Sequence, residues 1–125
     1  MLESSKKKIL LVEDEAIIAM GYSQAVRDLG YEAIAAYSGE KAVSTFNDVE
    51  GISLILMDID LGKGMDGMET SHRILEKRFV PIIFVTSHRE EEYVEAAREL
   101  ARYGCFDKSS GARALMESIK TAIGI

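Results

Sequence analysis

Short apolar runs alternate along this chain of 125 residues with longer stretches of helical periodicity. Ile9-Leu10-Leu11-Val12, Ile52-Ser53-Leu54-Ile55-Leu56-Met57 and Ile82-Ile83-Phe84-Val85 are nearly continuous in apolar residues, the signature of strands buried on both faces. The first predicts a strand over about Lys8–Val12. A helix from about Glu15 to Leu29 follows, closed by Gly30, with Ile18, Tyr22, Ala25 and Leu29 as its inner stripe. A second strand is expected at about Tyr31–Ala36. Ser38 then caps a helix to about Asp48 that turns Ala42, Val43 and Phe46 inward. The third strand ends at Asp58, a glycine-rich loop covers Ile59–Asp66, and a third helix runs to about Arg78. Pro81 opens strand four at a position where a strand tolerates proline. A fourth helix (about Glu90–Arg102), a short strand (about Gly104–Phe106) and a last helix from near Ser110 complete the pattern. Ala112, Leu115, Met116, Ile119, Ala122 and Ile123 mark that helix's inner face. Five βα units with right-handed crossovers make a parallel sheet covered on both faces.

Composition narrows the function classes. One domain is expected over residues 1–125, with a core of about 7–123, and 47% hydrophobic content suits an ordinary globule. No apolar run approaches the ~20 residues of a membrane span, and the start, Met1 to Lys8, lacks a signal peptide's apolar stretch. The single cysteine, Cys105, has no partner for an intramolecular disulfide. These features place the chain in the cytoplasm, with no membrane partner. A net charge of −6 argues against nucleic acid as a partner, and Lys6-Lys7-Lys8 reads as a solvated entry to strand one.

What the strands deliver at their carboxyl ends is the candidate chemistry. Strand one runs into Glu13-Asp14, strand three into Asp58, strand four into Thr86-Ser87, and strand five is followed by Lys108. Ligands of open α/β sheets bind at that edge. In isolation each residue has a bland reading: Asp58 caps a turn, the acid pair serves a helix dipole, and Lys108 is a loop lysine. Together, three acids, a hydroxyl and an amine are the parts of a magnesium-dependent phosphoryl-transfer site.

The acid pair, the aspartate, the threonine and the lysine, in that order and each after an apolar strand, resemble the receiver domain of two-component response regulators. The resemblance covers Lys7 to about Ile123. It implies a CheY-like, flavodoxin-like (βα)5 fold with strand order 2-1-3-4-5, an order for which the chemotaxis receiver is a standard example. It implies that Asp58 accepts a phosphoryl group as an acyl phosphate. Mg²⁺ would be held by Asp14, Asp58 and the backbone carbonyl of Asp60, with Glu13 acting through water. Thr86, Ser87 and Lys108 would contact the phosphoryl group, and Asp60 and His88 would tune its lifetime. The implied donor is a sensor histidine kinase or phosphotransfer protein. A homodimer could form through the face of the fourth helix, the fifth strand and the last helix. The domain would signal by conformational change rather than act as an enzyme, although its parent chain could be a hybrid histidine kinase.

Three departures from the family pattern concern output. Gly62 stands where receivers carry proline, in a loop one residue longer. Ser109 replaces the proline after the lysine, so a trans Lys108–Ser109 bond is expected. Cys105 replaces the aromatic switch residue that works with Thr86, leaving Tyr103 as the only local substitute. Two other readings compete: a receiver-like interaction module that is never phosphorylated, and a haloacid-dehalogenase-like phosphatase, which Leu54-Ile55-Leu56-Met57-Asp58-Ile59-Asp60 also resembles. In those phosphatases the second acidic pair follows the lysine, whereas Glu13-Asp14 precede the nucleophile.

Overall fold

The computed structural model describes residues 6–62, 64–86 and 105–123. In chain order they form β1 (Lys8–Val12), α1 (Ala16–Asp28), β2 (Glu32–Ala36), α2 (Gly39–Asp48), β3 (Ile52–Asp58), α3 (Gly67–Lys77), β4 (Ile82–Thr86), β5 (Cys105–Asp107), a 3-10 turn (Lys108–Ser110) and α4 (Gly111–Ile123). The five strands make one sheet in the order β2-β1-β3-β4-β5, and every pairing is parallel. This is the expected flavodoxin-like arrangement. The predicted helix over 90–102, with Ser87, His88 and Tyr103, lies outside the described residues.

Strand alternation sorts the apolar runs onto two faces. Leu10, Val12, Ile55, Met57, Ile82 and Phe84 pack with Ala42 and Phe46 of α2 and Ile74 of α3. Ile9, Leu11, Leu54, Leu56, Ile83, Val85 and Phe106 pack on the other face with Val26 of α1 and Leu115, Ile119 and Ala122 of α4. Both faces of β1, β3 and β4 are therefore core, which is why their sequences carry no polar alternation.

Caps fix where the helices begin. Ser38 Oγ accepts the Lys41 amide at 3.1 Å to start α2, and Asp66 Oδ1 accepts the Glu69 amide at 2.8 Å to start α3. For α1 the carboxylate comes from two residues upstream: Glu13 Oε2 accepts the Glu15 amide at 3.2 Å.

The inner face of α1 only partly matches the expected stripe. Ala19, Ser23, Ala25 and Val26 are buried, while Ile18, Tyr22 and Leu29 are half-buried. Tyr22 and Leu29 still pack against the core of that face, but Ile18 and Tyr22 also line an open cavity of about 380 Å³ between α1 and α4, which leaves them part-exposed. Ala112, on the same cavity, is exposed for the same reason.

Candidate functional site

The row Ile9-Leu11 on β1 continues to Glu13, the row Leu54-Leu56 on β3 continues to Asp58, and Phe106 on β5 continues to Lys108. Alternation thus points all three polar groups toward the α1/α4 side of the sheet's carboxyl edge. The contacts agree. Lys108 Nζ donates to Asp58 Oδ2 at 3.3 Å and lies 3.2 Å from Glu13 Oε1. Asp58 Oδ1 accepts the Asp60 amide at 3.1 Å, which folds the loop back over the strand end. Asp14 is exposed, yet it, Glu13 and Asp58 each bring a carboxylate oxygen within 4.8 Å of the others.

Two carboxylates here are almost wholly withdrawn from water: Glu13 is 1% exposed and Asp58 2%. Burial, then the charge of Asp58, pushes the Glu13 carboxyl up from 4.5 to about 7, against the Glu15 amide and Lys108. Burial also raises Asp58, opposed by the Asp60 amide and Lys108. Lys108 loses hydration, which favours its neutral form, but the charges of Asp58 and Glu13 outweigh that and raise its pKa. One ammonium therefore faces three acids.

This arrangement fits a divalent cation. Glu13 Oε1 is buried without a well-formed hydrogen bond, although Lys108 Nζ lies 3.2 Å away as its ionic partner. The donors are all carboxylate oxygens, the hard ligands that Mg²⁺ prefers. A buried anionic oxygen with unfilled hydrogen-bonding capacity, beside two further carboxylates, is what a cation would satisfy.

The remaining expected residues fall around this centre. Thr86 ends β4, buried, one residue beyond the Asp58–Val85 rung, and Asp107 lies opposite it on β5. Cys105 lies opposite Phe84. No cis peptide bond occurs among the described residues, so Lys108–Ser109 is trans as expected. Two contributions were not foreseen. Tyr22 borders the cavity beside Lys108; burial pushes its phenol up to about 12, with Lys108 acting the other way. Gly67 lets α3 start against the β3 end, where a side-chain carbon would collide with the Asp58 carbonyl oxygen and lie 2.8 Å from Ile59 Cα. The glycine-rich loop was legible in the sequence, but the contact of Gly67 with the strand end was not.

The model of the response regulator receiver domain matches residues 9–120. The chain belongs to the response regulator receiver family. It is a phosphoacceptor domain of two-component signalling, a signalling unit rather than a catalytic enzyme. The transcriptional regulatory protein PdtaR of Mycobacterium tuberculosis is 29% identical to it over 118 residues, 94% of this chain and 57% of the relative. The phyllosphere-induced regulator PhyR of Methylorubrum extorquens is 36% identical over 84 residues, 66% of this chain and 32% of the relative. The receiver thus spans about half or less of the length of these curated relatives. Among solved structures, the N-terminal domain of a response regulator/sensory box/GGDEF three-domain protein from Carboxydothermus hydrogenoformans superposes with TM-score 0.85 at 36% identity, covering 94% of each chain. The response regulator TrrA of Thermotoga maritima, in complex with Mg²⁺ and BeF, matches with TM-score 0.82 at 27% identity over 93% of this chain and 98% of that one. Among the described residues of this receiver, no helix is long and apolar enough to cross a membrane.

Proposed function

We propose that Asp58 is the phosphoacceptor and that Glu13, Asp14, Asp58 and the Asp60 carbonyl hold Mg²⁺. The observation that carries this is the buried Asp58 carboxylate at the end of β3, bonded to Lys108 Nζ at 3.3 Å and grouped with two further acids. The Mg²⁺ complex of the Thermotoga maritima relative supports the same cation here. An Asp58 oxygen attacks phosphorus as the phosphorus–nitrogen bond of a donor phosphohistidine breaks, and the imidazole leaves with the electron pair. Lys108 moves from a carboxylate partner to a phosphoryl partner and keeps a charge-assisted bond throughout. Thr86, with Ser87, donates hydrogen bonds to the phosphoryl oxygens. A bound cation supplies charge neutralisation among the acids and the transferring oxygens. Asp60 and His88 tune the lifetime of the phosphoryl group, and Thr86, Cys105 and Tyr103 make up the switch.

The donor is a sensor histidine kinase or phosphotransfer protein in the cytoplasm, and residues 1–125 act as one receiver unit. Ile17 and Met20, 85% and 66% exposed on α1, offer that donor an apolar footing beside the acidic edge. Mass spectrometry after treatment with a small phosphodonor and Mg²⁺ tests the assignment. One acid-labile phosphoryl group is expected on the wild type and none on Asp58→Asn. Equal phosphorylation of the two removes Asp58 from its role, and none on either leaves an interaction module.

A further inference from the structure

Glu40 stands on the first turn of α2, apart from the acidic cluster, and reaches the loop that leaves Asp58. Its Oε2 accepts the Met65 amide at 3.1 Å, a contact across 25 residues of sequence. Gly64, at φ 85°, lies flat on the same carboxylate: a side-chain carbon there would sit 2.9 Å from Oε2 and 3.2 Å from Oε1. Gly39 fits under the same loop end, since a carbon on it would lie 2.9 Å from the Met65 carbonyl oxygen. At its other end the loop leans on the acidic cluster. Gly62, at φ 74°, has space for a hydrogen only, because a side-chain carbon would lie 2.9 Å from Asp14 Oδ2. Between the strand and these contacts, Ile59 and Leu61 are 5% and 3% exposed and anchor the loop in the α2/α3-side core.

The loop is therefore a strap with two attachments, one on α2 and one behind Asp14. We propose that Glu40 is a positioning residue for the cation site. By holding Met65 and Gly64 on α2, it keeps the Gly62 backbone behind the Asp14 carboxylate. This inference rests on the metal reading given above. Asp14 is exposed, and the described contacts include no hydrogen bond that fixes its side chain, so the strap supplies the wall that limits where its Oδ2 can go. The simpler role for Glu40 is a favourable charge in the first turn of a helix. That role affects the stability of α2 and leaves cation affinity alone.

The test compares wild type, Glu40→Ala and Glu40→Gln in the whole 125-residue chain. Mg²⁺ is titrated with amide chemical shifts as readout, and amide hydrogen exchange at Met65 is measured without metal. Melting in EDTA checks that each variant is folded. Partners that orient metal ligands directly are worth ~10–100-fold in affinity. Glu40 acts one step further away, so Glu40→Ala is expected to weaken Mg²⁺ about five-fold and to speed Met65 exchange. Glu40→Gln keeps an oxygen acceptor for Met65 and should restore affinity to within about two-fold of wild type. Unchanged affinity in Glu40→Ala, with wild type binding Mg²⁺ normally, overturns this inference and spares the metal reading. Glu40→Gln as weak as Glu40→Ala also overturns it, because charge rather than the strap would then be responsible. A wild type with no Mg²⁺ response at Asp14 and Asp58 removes the metal reading and the inference together.

Discussion

Raising the pH should destabilise the metal-free receiver, and Asp58 should be a cause of it. The Glu13 carboxyl is held at about 7 against 4.5 for the ordinary group, first by burial and then by the Asp58 charge. Between those values the folded protein binds more protons than the unfolded chain, so stability must fall as pH rises through that window. At about 1.4 kcal/mol per tenfold change in proton affinity, the cost approaches ~3 kcal/mol above pH 7. Asp58 is also raised by burial and adds to the fall in the same direction. Lys108 is raised too, but it stays charged across this window, and its contribution is lost only at strongly alkaline pH. Asp58→Asn removes the charge that raises Glu13 and removes the second titrating acid, while the Lys108–Glu13 contact of 3.2 Å remains available. Urea denaturation in EDTA at pH 5, 6.5 and 8 should show wild type losing roughly 2–3 kcal/mol across the series, and Asp58→Asn losing less than half of that loss. Saturating Mg²⁺ should restore stability most at pH 8, since a ligand at a hundred times its Kd contributes about 2.7 kcal/mol. A wild type as stable at pH 8 as at pH 5, or an unchanged slope in Asp58→Asn, would refute the reasoning.

Further outcomes follow from particular contacts. Ile17→Glu with Met20→Glu should slow transfer from a phosphohistidine donor by roughly ten-fold or more, the effect of about 1.4 kcal/mol in barrier, while phosphorylation by a small phosphodonor stays at the wild-type rate; stopped-time phosphorimaging of both reactions decides it. Gly67→Ala should destabilise by ~1–3 kcal/mol because the added carbon meets fixed backbone at Asp58 and Ile59. Gly21→Ala, where nothing lies within 4 Å, should instead stabilise α1 by ~0.5–1 kcal/mol, and thermal melts of the two variants check both signs. Asp60→Ala with His88→Ala should change the phosphoryl half-life several-fold in either direction, roughly 1 kcal/mol in barrier, as read from decay of the phosphorylated mass peak.

The fold was legible because its strands are buried on both faces. Continuous apolar runs such as Ile9–Val12 and Ile82–Val85 left no alternative to parallel strands sandwiched between helices. Strand ends then announced the candidate site, since polar groups after such runs emerge at one edge of the sheet. Less legible was anything set by packing between helices. The inner face of α1 includes Ala25 as expected, with Tyr22 and Leu29 packed at its margin, but its most buried positions also take in Ala19, Ser23 and Val26, while Ile18 and Tyr22 stay half-buried. Hydropathy ranks the larger side chains as core, but it carries no information about the cavity that leaves them half open. Glu40 was invisible as well. Its exposed position in a first helical turn has a sufficient local explanation, and its bond to Met65 depends on the path of a distant loop.

That path also accounts for a departure from the family pattern. Receivers carry proline where this chain has Gly62, and proline's ring confines φ to near −65°. Here residue 62 takes a φ of 74° with its backbone against Asp14 Oδ2, a conformation closed to proline and strained for any residue with a side chain. The longer loop reaches α2 by turning left-handed at Gly62 and again at Gly64, so the glycine is required by the route rather than tolerated in it. The departures at Cys105 and Ser109 are of another kind: they stand in a chain whose Lys108–Asp58 contact and grouping of three acids are both present. Phe106, next to Cys105, is committed to the α1/α4-side core and is not available to fill space on the Phe84 side of the sheet. Among the described residues the acidic edge keeps its parts, while the β5 position opposite Phe84 carries Cys105 where the family pattern has an aromatic ring.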